Sequence, residues 1–220
     1  MNAQLFTDPI AAFGTLALLG LVPFLALVTT SFTKLSVVLL LTRNALGLRE
    51  APPTMVINGF AIILSVYIMA PVGHQAWKAL QQQGLRDGAP AAESLSRVVG
   101  AVRGPLVDFM VRNTNARELK FFAKTARDLW PPEMAADVTE RDLLVLVPSF
   151  TVTELTAAFQ IGFVIYLVFL VVDFLVAGVL LALNMQMMAP TVVSIPLKML
   201  LFVALDGWTT LIHSLVLTYR

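Results

Sequence analysis

Asn184-Met185-Gln186-Met187-Met188-Ala189-Pro190 connects two long apolar runs, Ala157–Leu183 and Thr191–Leu217. Each run is long enough for a helix to cross a bilayer, which takes about 20 residues. Each also carries charge where hydrocarbon penalises it: Asp173 before the connector, Lys198 and Asp206 after it. Ionisable side chains in such segments are costly and face protein or water, not lipid. The pattern predicts a helical hairpin whose charges are turned onto partners. Its tip holds Met185, Met187 and Met188, flexible and polarisable side chains that adapt to surfaces of different shape. Such a tip suits a deformable constriction; ordinary gap-filling is the competing role.

The whole composition agrees with this stretch. The chain has 220 residues, 58% apolar and only 13% charged, with a mean hydropathy of +0.81. A soluble domain carries about 25% charged residues, so this is a membrane protein. It has no cysteine, which removes disulfides, thiolate metal sites and cysteine nucleophiles. A net charge of +1 gives no electrostatic footing for nucleic acid. His74 and His213 lie far apart without an acidic ligand pattern and read as polar residues at helix ends; no metal site and no cofactor are expected. There is no nucleophile–base pair, phosphate loop or carboxylate dyad, and the chain is not expected to be an enzyme.

Two further apolar segments precede the hairpin: Ile10–Thr30, containing Gly14, Gly20 and Pro23, and Pro53–Val72. Residues 1–33 lack Lys and Arg, so the basic start of a secretory signal is missing and the first run is expected to stay as an anchor. Between these segments, Ser31–Pro52 carries Lys34, Arg43 and Arg49 against Glu50 alone. Positive-inside bias puts this loop in the cytoplasm, with the N-terminus and residues 74–156 outside. Its apolar piece Leu35–Leu48 predicts a helical extension packed on protein or at the interface. Residues 74–156 hold ten basic and ten acidic residues, interspersed as on a solvated folded surface. Ala91–Val111 and Ala116–Leu129 have helical spacing, with Leu119, Phe122 and Ala126 on one face. Gly84–Pro90 is a loop, Trp130-Pro131-Pro132 stops the second helix, and Thr139-Glu140-Arg141-Asp142 looks like the cap of the next. The expected fold is all-α: about four long apolar helices arranged as hairpins, with a small helical polar domain inserted between the second and third. By composition the chain divides into residues 1–73, 74–156 and 157–220.

If the turn centres near Met187, Asp173 lies 14 residues before it and Lys198 lies 11 after it. At about 1.5 Å per helical residue their depths differ by roughly 5 Å. An antiparallel hairpin therefore brings them level, within one chain or between copies, and pairing offsets part of the cost of burial. Asp206 falls on roughly the same face, eight residues beyond Lys198. Fixing of helix register, a proton or ion relay, and interfacial snorkelling are all open for these charges. Pro190 and Pro196 remove backbone donors near the start of the fourth segment and bend it. Asp206, within Asp206-Gly207-Trp208, is expected to be structural, in a triplet that could anchor at the interface through its tryptophan.

Pro148-Ser149-Phe150-Thr151-Val152-Thr153-Glu154-Leu155, followed by Ala158-Phe159-Gln160-Ile161-Gly162-Phe163, resembles the signature of the SctR/FliP family. These are the export-gate proteins of type III secretion systems in injectisomes and flagella. The likeness continues through Val172-Asp173, the methionine connector, Ser194-Ile195-Pro196-Leu197-Lys198 and Asp206-Gly207-Trp208. Upstream it takes in Arg43-Asn44-Ala45-Leu46-Gly47, Pro52-Pro53 and Met69-Ala70-Pro71-Val72, and it is weakest over residues 74–140. It implies a core export component of the bacterial inner membrane, about five copies of which assemble into a channel partly on the periplasmic side. SctS-like and SctT-like proteins would complete the channel beneath the inner rod or needle, SctU-like and SctV-like proteins the entrance, with unfolded polypeptide as the cargo. The resemblance places a pore gasket on Met185, Met187 and Met188, with Gln186 where flagellar members often have methionine. It places a buried charge pair on Asp173 and Lys198. The missing basic start points to the injectisome branch. A secondary transporter or ion channel using Asp173 and Lys198, and a scaffold without a pore, are the alternatives.

Overall fold

A computed structural model describes residues 20–48, 50–82, 91–185 and 187–220, and every regular element within them is a helix. In chain order these are α1 (described over Gly20–Thr29), α2 (Phe32–Ala45), α3 (Thr54–Gln82), α4 (Ala91–Asn113), α5 (Ala116–Leu129), α6 (Pro132–Ala135), α7 (Leu143–Ala182), α8 (Pro190–Ala204) and α9 (Gly207–Leu217). The first apolar run, Ile10–Thr30, begins outside the described residues, as do Gly14, Arg49, the expected loop over 84–90 and Gln186.

Two described helices, α3 and α7, are long and apolar enough to cross a membrane by themselves; α1 with α2, and α8 with α9, reach that mark only as pairs taken across a break. The 40 residues of α7 extend roughly 60 Å, twice the roughly 30 Å of bilayer hydrocarbon. Part of α7 therefore lies in protein or water. Its first turns supply that part: Ser149, Thr151 and Thr153 donate their hydroxyls to carbonyls four residues back at 2.6, 2.8 and 2.8 Å. Such back-bonding satisfies these three hydroxyls within the helix itself. From Leu155 to Ala182 the only charge is Asp173.

The apolar run starts at Ala157, but the helix starts fourteen residues earlier, at Leu143. The physical cause is the turn at Asp142, whose carbonyl accepts from Val145 and Leu146 at 2.9 and 2.7 Å. Its carboxylate accepts from the Thr139 N–H at 2.7 Å. Pro148 is carried inside the helix, where it removes one donor without ending it. The fourth run, in contrast, is two helices. α8 and α9 meet at a bend of 61° around Leu205-Asp206, with Asp206 left-handed at φ +49.

By contacts the chain forms two compact units. The first comprises residues 1–31 and 69–154. Its α5 follows its helical spacing: Asn115 Oδ1 caps it by accepting from the Arg117 N–H at 2.9 Å, and Leu119, Ala123 and Ala126 are buried with Phe122 half-buried. Phe109 of α4 meets Phe150 of α7 edge-on, with ring centroids 5.9 Å apart. Arg127 Nη2 donates to the Val138 carbonyl at 3.1 Å, and Arg141 pairs with Asp108.

The second unit comprises residues 32–68 and 155–220 and is built around α2. Leu35, Val38 and Leu39 of α2, Ile57 and Ala61 of α3, Ala158 of α7 and Leu215 of α9 form its core. α2 lies so close to α7 that a Cβ on Gly162 would run into the Leu41 side chain. A small residue at that crossing is how apolar helices approach closely. The two contact units divide within α3 and α7, at residues 68–69 and 154–155, so each of these helices contributes to both units.

Candidate functional site

The site is assembled at the C-terminal end of α2. This helix closes with Gly47 left-handed at φ +80. The Leu48 N–H reaches the Arg43 carbonyl at 3.2 Å and the Gly47 N–H reaches the Asn44 carbonyl at 3.0 Å, the two bonds of a Schellman cap. The Thr42 carbonyl accepts from Leu46 at 3.1 Å. Among the last carbonyls that a helix leaves without an internal partner, that of Ala45 accepts from Lys198 Nζ at 3.2 Å. An ammonium at a helix C-terminus also meets the negative end of the helix dipole.

Lys198 comes from α8, and its second partner comes from α7. Asp173 Oδ2 lies 2.6 Å from Nζ. The lysine side chain is 6% exposed and the aspartate 38%, so the cation is the deeply buried partner. Gly47 fixes how near α8 can come: a Cβ there would stand 3.0 Å from Ile195 Cγ1. Glycine is therefore required twice, for its backbone conformation and for this approach. A cavity of about 760 Å³ with a mixed lining opens beside the pair, with Asn44, Glu50, Tyr166, Thr191 and Ser194 as its other polar residues. Two other loop cations are buried in the same unit. Lys34 Nζ sits 3.8 Å from the centroid of the Tyr219 ring. Arg43 Nη1 donates to the Pro52 carbonyl at 3.1 Å and to Thr54 Oγ1 at 3.0 Å, tying α2 to the start of α3.

Beyond the pair lies the methionine tip. α7 ends on Asn184, left-handed at φ +57, with the Met185 N–H on the Leu180 carbonyl at 2.9 Å and the Asn184 N–H on the Leu181 carbonyl at 3.0 Å. Met185 and Met188 are 40% and 39% exposed, and Met187 is 102% exposed. The tip is held in shape by its backbone, and its side chains are presented outward. Pro190 is the first residue of α8, where a missing N–H costs nothing, and Pro196 lies within that helix. Asp206 stands at the break between α8 and α9, away from the Asp173–Lys198 pair on α8 and α7. Among the described residues no group of three or more His, Asp or Glu side chains is placed to hold a metal ion.

Asp173 and Lys198 are thus brought together within one chain, and the three methionines stand together at the tip. Sequence reasoning missed Ala45, Gly47 and Ile195 as parts of the same site. The signal for Gly47 was present, since a glycine just past a helix end is the usual left-handed cap. A carbonyl partner and an approach distance have no sequence signal.

Known proteins are similar to this chain over nearly its whole length. The hypersensitivity response secretion protein HrcR of Ralstonia nicotianae is 48% identical, over 92% of this chain and 93% of its own length. The Yop proteins translocation protein R of Yersinia pestis is 43% identical, over 96% and 97%. The virulence protein YscR of Salmonella typhimurium is 35% identical, over 96% and 97%. The model of the FliP family matches residues 15–215, and the chain belongs to that family.

Proposed function

We propose that this chain is a channel-forming subunit of a type III secretion export apparatus in the bacterial inner membrane. About five copies would surround one passage, as symmetric assemblies of identical chains do. SctS-like and SctT-like proteins would complete the channel, SctU-like and SctV-like proteins would stand at its entrance, and the inner rod or needle would continue it. The cargo is unfolded polypeptide, and residues 74–156 face the periplasm. The secretion and translocation proteins named above support this reading.

One observation carries it: Met185, Met187 and Met188 stand exposed at the end of a hairpin whose two helices are locked together by a buried ion pair. Apolar side chains that find no cover in their own chain find it against one another around an axis, and methionine yields to a passing chain. The gasket is tested by changing all three to alanine. The expected result is an assembled complex that leaks small ions and solutes while secretion persists, because many small contacts across the ring are lost at once. Wild-type permeability in an assembled complex with an open entrance would reject the gasket. Orientation is tested separately in intact spheroplasts expressing the chain alone. A cysteine at the exposed Arg112 should react with a membrane-impermeant thiol reagent and one at the exposed Glu50 should not.

A further inference from the structure

On the first compact unit, a pocket and a helix face carry opposite charge, and each offers uncovered apolar surface. The pocket, of about 370 Å³, is lined by Met134 and Leu144 on its apolar side and by Glu133, Asp137 and Asp142 on its acidic side, with Arg103 its one cation. Met134 is 51% and Leu144 67% exposed. The Asp142 carboxylate is occupied by the Thr139 N–H, whereas Glu133 and Asp137 have no ion-pair partner among the described residues.

The complementary feature is the outer face of α5. Arg117, Lys120, Phe121 and Lys124 follow the spacing that sets side chains on one side of a helix, opposite the buried Leu119, Ala123 and Ala126. Phe121 is 58% exposed, and none of the three cations has an ion-pair partner among the described residues. The unit thus displays an aromatic ring flanked by cations on one patch and an apolar pocket flanked by carboxylates on another. One chain carries both halves of such a contact, and two different patches meeting make a head-to-tail interface, the kind that closes into rings.

We propose that in the assembly α5 of one copy docks into this pocket of the next, with Phe121 against Met134 and Leu144 and with Lys120 and Lys124 facing Glu133 and Asp137. This rests on the reading that copies of the chain assemble, and it names the surfaces by which they meet. Charges at the rim of such a contact select the partner and its orientation more than they add raw affinity.

The chain has no cysteine of its own, so introduced thiols report cleanly. The test is the full chain in bacterial membranes with its secretion partners, carrying Ala116→Cys on α5 and Ala136→Cys beside the pocket, both exposed positions. A short bismaleimide link within one chain leaves a band at the monomer's mass, so only links between copies raise a ladder. A ladder running beyond dimers is expected, with no dimer from either single cysteine. Lys120→Glu with Lys124→Glu should reduce the ladder about tenfold or more through like-charge repulsion, and adding Glu133→Lys with Asp137→Lys should restore it. A ladder indifferent to the first reversal, or bands only to a different protein, overturns the contact. No ladder from a complex that still holds several copies by native mass overturns the contact and leaves the assembly reading intact. A complex holding a single copy overturns both.

Discussion

α2 and α7 end alike: each is closed by a left-handed residue, Gly47 at φ +80 and Asn184 at φ +57, and by the same pair of capping bonds. Their surroundings are opposite. The end of α2 is clamped, with Ile195 against Gly47 and the Lys198 ammonium on the Ala45 carbonyl. The end of α7 opens onto three exposed methionines. From Asp173 to the last residue of α7, Ala182, the lock is set back from the tip by about 14 Å. The same backbone closure therefore serves once as an anchor and once as a mount. What decides between them is whether a second helix supplies side chains to the free carbonyl and the glycine.

The largest expected effect breaks the anchor. Asp173→Asn removes the negative charge opposite the buried Lys198 ammonium and leaves it neutral acceptors alone, a loss of about 3–5 kcal/mol for an uncompensated buried charge. Lys198→Met replaces the cation with an uncharged chain of similar length and leaves Asp173, 38% exposed, on the open side of the cavity. Solvent screening of that carboxylate holds the cost to about 1–2 kcal/mol. Thermal unfolding of the chain in detergent should rank Asp173→Asn below Lys198→Met and both below wild type. Equal losses would remove the asymmetry between a buried cation and a half-solvated anion. The swap Asp173→Lys with Lys198→Asp should recover part of the loss if the two act chiefly on each other.

A smaller effect separates the two caps. Gly47→Ala puts a side chain on a left-handed backbone, costing about 1–2 kcal/mol, and presses it on Ile195 as well. Asn184→Gly relieves the same backbone preference where nothing presses on it, and its effect should stay within about 0.5 kcal/mol. Measured side by side in detergent, a Gly47→Ala loss no larger than the Asn184→Gly change would show that α8 does not hold the end of α2.

The hairpin was legible because its chemistry is local in sequence. Two charges at matched distance from a turn predict their own meeting, and Asp173 and Lys198 do meet at 2.6 Å. α5 was legible to the residue from its helical spacing and the Trp130-Pro131-Pro132 stop, and Asn115, which caps it, is what fixes its first residue. The start of α7 was legible too, since Thr139-Glu140-Arg141-Asp142 has the pattern of a cap and the helix begins at Leu143; what the apolar run beginning at Ala157 did not show is that Pro148 is carried inside the same helix. The break in the fourth run was not legible: the bend was expected at Pro190 and Pro196, and the left-handed backbone of Asp206 and the 61° bend it accompanies leave no pattern in hydropathy. Ala45 and Ile195 were invisible, because a carbonyl and an approach distance exist only once α2 and α8 are packed.

The smallest expected effect on the fold lies at the tip, and it sharpens the comparison most. Alanine at Met185, Met187 and Met188 should change the stability of the isolated chain by no more than about 0.5 kcal/mol, the usual scale for exposed positions. Met187 is fully exposed and the other two keep about two fifths of their surface open, so little burial is lost. Met110 of α4, 0% exposed, is the internal control. The same change there empties a packed site and should cost about 2–5 kcal/mol. Side-chain chemistry is identical in the two cases, so any difference in unfolding measures packing alone. A triple-alanine tip as destabilised as Met110→Ala would mean that the methionines are buried by their own chain, and α7 would then end in an anchor like α2. A tip with wild-type stability, in a complex that nevertheless leaks, assigns those side chains to a surface that is covered only when other copies are present.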